Sequence, residues 1–170
     1  SVHGGHMLGA ARRILRDDAE AEDAVQDAFV SAFRSIENFD GRAALGTWLH
    51  RITINAALQR LRRRRTRRET SIDDLMPVFV NGYFTGPVPA WNDVTEAGVG
   101  GIETRAALWK AIDTLPDDFR TVVILRDVEG LASREVAESL GISDALVRQR
   151  LHRGRQALLK LLAPTMEDGS

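Results

Sequence analysis

Apolar positions recur three and four residues apart along most of this chain, a spacing that predicts helices. "MLGAARRIL", residues 7–15, reads as a first helix, ended or bent by "RDD". "AEAEDAVQDAFVSAF", residues 19–33, puts Ala21, Ala24, Val25, Ala28, Phe29, Ala32 and Phe33 on one face behind an acidic first turn. "ENFDGRAALG" interrupts the period with two glycines and an Asp-Gly turn signal, so a loop is predicted. "TWLHRITINAALQRLRRRR" resumes it through Trp48, Leu49, Ile52, Ala56 and Leu61, with Thr47 as the expected N-cap.

Residues 66–103 lose the pattern. "MPVFVNGYFTGPVPAWNDVTEAGVGG" holds three prolines and five glycines, the composition of a linker, yet Phe79, Tyr83, Phe84 and Trp91 make it too aromatic for a merely solvated spacer. Helical spacing returns in "IETRAALWKAIDTL", stops at Pro116 and restarts in "DDFRTVVILRDVEG". "SREVAESLGISDALVRQRLHRGRQALLKLL" then reads as two helices joined at Gly141. No strand-period segment competes. The predicted fold is all-α, with two small helical domains joined by a flexible linker. The expected boundaries are 1–68, a linker over 69–103, a second domain over 104–163 and a tail over 164–170.

Bulk composition fits this division. The chain has 170 residues, 44% hydrophobic and 28% charged, as an ordinary globular protein does. No apolar run approaches the roughly 20 residues that span a bilayer, and "SVHGGHMLGAARRIL" has no signal-peptide pattern. The absence of cysteine suits a reducing compartment, and a cytoplasmic location is expected. The formal net charge of −1 hides an asymmetry. Residues 1–69 carry a net +4 and residues 70–103 a net −5, while the remainder balances, with four of its bases between Arg148 and Arg155. Seven arginines crowd into residues 60–68. Two basic clusters around an acidic connector point to two polyanion-facing modules.

The C-terminal pattern is that of a helix-turn-helix. Ser133 and Ser143 are expected caps, Ala137 is small where the helices cross, and Gly141 permits the tight turn. With Val136, Leu140, Ile142 and Val147 turned inward, Arg148, Gln149, His152 and Arg153 face outward and offer the donors that a major groove reads. Arg150 and Arg155 fall toward the flanks, suited to phosphate. The bland alternative is a helical hairpin with a solvated basic face.

The block "AEDAVQDAFVSAFRSIENFDGRAALGTWLHRITINAALQRLRRRR", followed by a linker and that helix-turn-helix, resembles bacterial RNA polymerase sigma factors of the extracytoplasmic-function class, within the sigma-70 family. The resemblance covers nearly the whole chain, and it implies region 2 at the N-terminus and region 4 at the C-terminus. It implies that Asp23, Gln26, Asp27, Phe29 and Phe33 dock on core RNA polymerase. It also implies that the loop Phe39, Asp40, Gly41 and Arg42, with Trp48, Arg51 and Asn55, captures the unstacked downstream (−10) promoter element, a task needing a pocket and a cationic track. Trp48 can stack there or pack in the core. Arg60, Arg62 and Arg63 would then hold phosphates, and Arg148, Gln149, Arg150, His152, Arg153 and Arg155 would read or clasp the upstream (−35) element. The expected partners are core polymerase, promoter DNA and an anti-sigma factor, often membrane-anchored in this family; no cofactor or small-molecule substrate is implied. The chain starts with fewer residues ahead of "MLGAARRIL" than is usual for the family, and its linker is longer and more aromatic than in the shortest members.

Other constellations are weaker. His3 and His6 have no cysteine or acidic third ligand beside them and read as disordered terminal residues. "GVGG" lacks the lysine of a phosphate loop, and the adjacent carboxylates Asp17/Asp18, Asp73/Asp74 and Asp117/Asp118 do not face each other on a helix, so no enzyme is expected. The rivals are an autonomous regulator that binds duplex operator DNA through the helix-turn-helix, and a helical adaptor with no DNA role.

Overall fold

The computed structural model describes residues 2–64, 72–75, 79–80, 83–84 and 102–168. The chain forms two compact units, 1–67 and 68–170.

The first unit is built on α1 (Val2–Leu15), α2 (Asp18–Ser35) and α3 (Leu45–Arg63), with a single 3-10 turn (Ile36–Asn38) after α2. Asp17 starts α2: its side chain accepts from the Glu20 amide at 2.9 Å, and Glu20 stands three residues on, the spacing of a capping box. The three helices pack on one another, α1 supplying Met7, Ala10, Ala11, Ile14 and Leu15 as buried residues. From α2 only alanines are buried, Ala21, Ala24, Ala28 and Ala32, and short side chains let neighbouring helices lie close. From α3 the buried set is Leu49, Thr53, Ile54, Ala57 and Leu58. Thr53 is satisfied by donating its hydroxyl to the Leu49 carbonyl at 2.8 Å, one turn back.

The second unit holds α4 (Ile102–Thr114), α5 (Asp117–Val123), α6 (Ser133–Leu140) and α7 (Asp144–Asp168). α5 runs on into a wider π turn over Ile124–Val128. Val122, Val123, Ile124, Leu125, Val136, Val147, Ala157 and Leu158 form its interior. Arg120 is buried among them and is satisfied by Asp113, to which Nε and Nη2 donate at 3.1 and 3.0 Å. A 3-10 turn over Ile72–Leu75 packs against α7 and buries Ile72.

Several expectations are corrected. Thr47 is not the cap of α3; the helix opens three residues earlier than that cap would allow, after Ala44 in an extended conformation with no side-chain bond. Gly46, read as loop, therefore lies in its first turn, where a Cβ would meet the His3 ring at 3.1 Å. His3 and His6 are helical residues of α1, not a disordered end. Ser133 is the first residue of α6 and Ala132 its cap, again without a side-chain bond. The connector is not patternless: β1 (Phe79–Val80) and β2 (Tyr83–Phe84) pair antiparallel, with Phe79 opposite Phe84 and Val80 opposite Tyr83. Trp91 and residues Arg65, Arg67 and Arg68 of the basic run lie outside the described residues.

Candidate nucleic-acid interface

The helix-turn-helix closes on three local devices. Gly141 ends α6 in the left-handed region, φ 68°, which a Cβ would disfavour. The Ile142 amide donates back to the Ala137 carbonyl at 3.1 Å. Ser143 Oγ accepts from the Leu146 amide at 3.1 Å and caps α7. Val136, Val147 and Leu151 are buried between the helices, which fixes the roll of α7.

That roll divides the six candidate residues of α7 into two sets. Arg148, Gln149 and His152 are exposed on one stripe, and Ala145, a turn earlier on the same face, is exposed with them. The other three are engaged by the unit itself. Arg150 lies 3.7 Å from Asp118. Arg153 sits over the Phe119 ring, 5.6 Å from its centroid. Arg155 grips Asp127 with Nε at 3.0 Å and Nη2 at 2.5 Å. The expected flank positions of Arg150 and Arg155 are thus occupied by carboxylates of α5 and its π turn. Ala145 escaped the sequence reading, although its place just after the cap residue could have marked it.

In the first unit the loop candidates are preorganised by one residue. Asp40 accepts from the Arg42 amide at 3.0 Å with one oxygen and from Arg42 Nε at 3.2 Å with the other, while Gly41 takes φ 76° between them. The Arg42 side chain is 90% exposed, so the loop presents a cation outward. Phe39 reaches back to Trp48, ring centroids 4.9 Å apart and tilted at 36°. Trp48 is also half-buried against Met7, Ala28, Ala32 and Leu49, so it joins the loop to the core and both expected uses of its ring remain. Arg51 and Asn55, one turn apart, are exposed on the same side of α3, and helical spacing brings Arg62 onto that stripe.

The arginine run does not act as one block. Arg62 and Arg63 are exposed. Arg60 instead turns to α2, where it meets Asp27 at 2.7 Å and Asp23 at 3.7 Å. Arg64 lies on the same side, 3.0 Å from Glu20, and donates to the Leu15 carbonyl at 2.7 Å. These pairings link residues 33 and more apart in sequence, and no local pattern announces them.

The face of α2 opposite its alanines is apolar and open. Phe33 is 82% exposed, and Phe29, Val30 and Ile36 are exposed with it. The sequence grouped Phe29 and Phe33 with the alanines as one stripe; the structure separates them, alanines inward and phenylalanines outward. Gln26 is exposed beside the rings and Asp23 and Asp27 flank them. Among the described residues no helix is long and apolar enough to cross a membrane, and no His/Asp/Glu group suits a metal ion.

Comparison with known proteins matches residues 2–67 to Sigma-70 region 2 and residues 105–158 to Sigma-70, region 4. The chain is 37% identical over 162 residues to the ECF RNA polymerase sigma factor SigE of Mycolicibacterium smegmatis, covering 95% of this chain and 59% of that protein. It is 35% identical over 164 residues to the RNA polymerase sigma-H factor of Pseudomonas aeruginosa, covering 95% of this chain and 83% of the relative. Among solved structures, the sigma factor RpoE of Bartonella quintana, in complex with the anti-sigma factor NepR, has a similar fold. The TM-score is 0.60 at 24% identity, over 95% of this chain and 92% of that one.

Proposed function

Because this chain belongs to the sigma-70 family, and within it to the extracytoplasmic-function sigma factors, we propose that it is a dissociable promoter-specificity subunit of RNA polymerase. Region 2 (1–68) docks on core enzyme and opens and holds the −10 element; region 4 (104–163) reads the −35 element. The connector (69–103) joins them, and residues 164–170, expected as a tail, begin with the last five residues of α7.

The observation that carries this reading is α2, which buries alanines and exposes Phe29 and Phe33 beside Asp23, Gln26 and Asp27. An apolar patch rimmed by polar groups calls for a protein partner. Core enzyme supplies such a partner, whereas a regulator would need the patch for a second copy of itself.

On the −10 side, the Asp40-braced loop of Phe39, Gly41 and Arg42 receives an unstacked base, Asn55 offers it an amide, and Trp48 supports the fork. Arg51, Arg62 and Arg63 follow the phosphates. On the −35 side, Arg148 and Gln149 suit guanine and adenine edges and His152 a base or phosphate. Arg153, Arg150 and Arg155 lie at the border of that face and reach phosphate only by giving up Phe119, Asp118 or Asp127. The protein breaks no bond itself. It lowers the free energy of the melted state by giving single-stranded bases a binding surface. No cofactor or small-molecule substrate enters this scheme, and the working place is the cytoplasm. An anti-sigma factor, membrane-anchored or free, would silence it by covering the exposed face of α2.

The test is transcription from a cognate promoter with purified core enzyme. Initiation is expected only when the protein is added; equal initiation without it would refute the proposal. Tight binding of the free protein to a two-fold duplex operator would favour the regulator instead.

A further inference from the structure

The first arginine of the basic run is already occupied. Arg60 donates to one carboxylate oxygen of Asp27 from Nε at 3.0 Å and from Nη2 at 2.7 Å, and its Nη1 lies 3.7 Å from Asp23. The Nε and Nη2 edge is the fork with which a guanidinium grips a phosphate. Arg60 therefore cannot hold Asp27 and a phosphate in this way at once. If α2 docks on polymerase and α3 tracks DNA, a reading that this inference rests on, one ion pair joins the two binding faces of region 2.

The pair is suited to exchange. The Asp23 and Asp27 side chains are 56% and 54% exposed, so a partner reaches them without unfolding anything. Arg60 itself is 24% exposed. Pairs in contact with water contribute only about two- to fivefold to an equilibrium constant. A protein surface rich in lysine or arginine competes for the carboxylates on even terms, and so does a phosphate for the guanidinium.

We propose that the Asp23–Arg60–Asp27 contact is autoinhibitory: in the free chain the two carboxylates hold Arg60 away from nucleic acid, and a cationic protein surface that takes them releases Arg60 to the DNA. Linkage makes the effect reciprocal, so DNA bound at Arg60 frees the carboxylates for the protein partner by the same factor. The free chain thereby binds DNA less well than the chain bearing its partner.

The test uses the full chain without polymerase and follows the anisotropy of a labelled single-stranded oligonucleotide across a salt series. The variants are Asp27→Asn, Asp23→Asn combined with Asp27→Asn, Arg60→Gln, and the combination of all three. Removing the carboxylate charges is expected to tighten binding about two- to fivefold. The salt dependence steepens by about one phosphate contact. In the Arg60→Gln background the gain disappears. An unchanged affinity overturns the proposal, and so does an equal gain without Arg60, which would reflect net charge alone. Arg62→Gln combined with Arg63→Gln separates the two layers. If that pair weakens binding while the aspartate variants do nothing, the inference falls and the phosphate track stands; if neither moves it, both fall.

Discussion

Gly154 of α7 passes so close to Val123 of α5 that a Cβ on it would lie 2.9 Å from Val123 Cγ2. Val123 is buried, and a β-branched side chain has one strongly preferred rotamer in a helix. Gly154→Ala gains about 1 kcal/mol of helix propensity and loses about 1–3 kcal/mol to overpacking. The expected net is a loss of about 1 kcal/mol, and Gly154→Leu loses more. Urea denaturation of the full chain checks both. A stabilised Gly154→Ala would mean that α5 and α7 separate freely.

Asp127 and Arg155 form a close ion pair in the second unit, Asp127 being 15% exposed and Arg155 33%. Asp127→Ala removes the carboxylate that takes two of the guanidinium's hydrogen bonds, and a stability loss of about 1–3 kcal/mol is expected. Arg155→Ala should cost a similar amount, and the double variant little more than either alone. A thermal-denaturation mutant cycle measures the coupling. If Arg155 serves DNA alone, Asp127→Ala leaves the fold at full stability.

Phe33, at 82% exposure, touches little of its own chain. Phe33→Ser is expected to change folding stability by less than about 0.5 kcal/mol. Its association with core polymerase should weaken at least about tenfold, as loss of an interface anchor does. Co-sedimentation with core enzyme reads the second effect and denaturation the first. Full association by the variant would remove α2 as the docking face.

On α7 the exposed and engaged residues should separate in their phenotypes. Arg148→Ala is expected to cost about 1–3 kcal/mol of promoter binding and to relax base preference at one position of the −35 element. Arg150→Ala should leave base preference intact, because its guanidinium is turned to Asp118. Selection of bound sequences with the reconstituted holoenzyme distinguishes the two. Identical profiles for the variants would refute the division.

What the sequence made legible was local. The alanine spacing of α2, the Gly141 turn and the Ser143 cap each act within a few residues, and each predicts the element that the structure contains. The errors also have local causes. Thr47 and Ser133 are good capping residues, yet α3 and α6 begin after Ala44 and Ala132, where the extended backbone rather than a side chain sets the start. Gly46 looked like loop because glycine weakens helices; here it is kept small against His3. The candidate sites were legible as sets of residues, and not as contacts. Helical periodicity puts Arg148, Gln149, His152 and Arg153 outward, but it cannot tell that Arg153 lies over Phe119 or that Arg150 and Arg155 find Asp118 and Asp127. The same holds for Arg60, whose partners belong to another helix. A charge is assigned to a ligand or to the fold only when tertiary packing has brought its neighbours in.

Alanine loses almost no side-chain entropy when it is buried, so the seam of Ala21, Ala24, Ala28 and Ala32 closes α2 onto its neighbours cheaply but removes little apolar area from water. The bulk of the helix's hydrophobic surface is left outside, at Phe29, Val30, Phe33 and Ile36. Solubility is then a property of occupancy. In the proposed complexes the rings are dry; in the free chain at high concentration they are expected to favour self-association. Purification should therefore yield more monodisperse material when a partner is co-expressed.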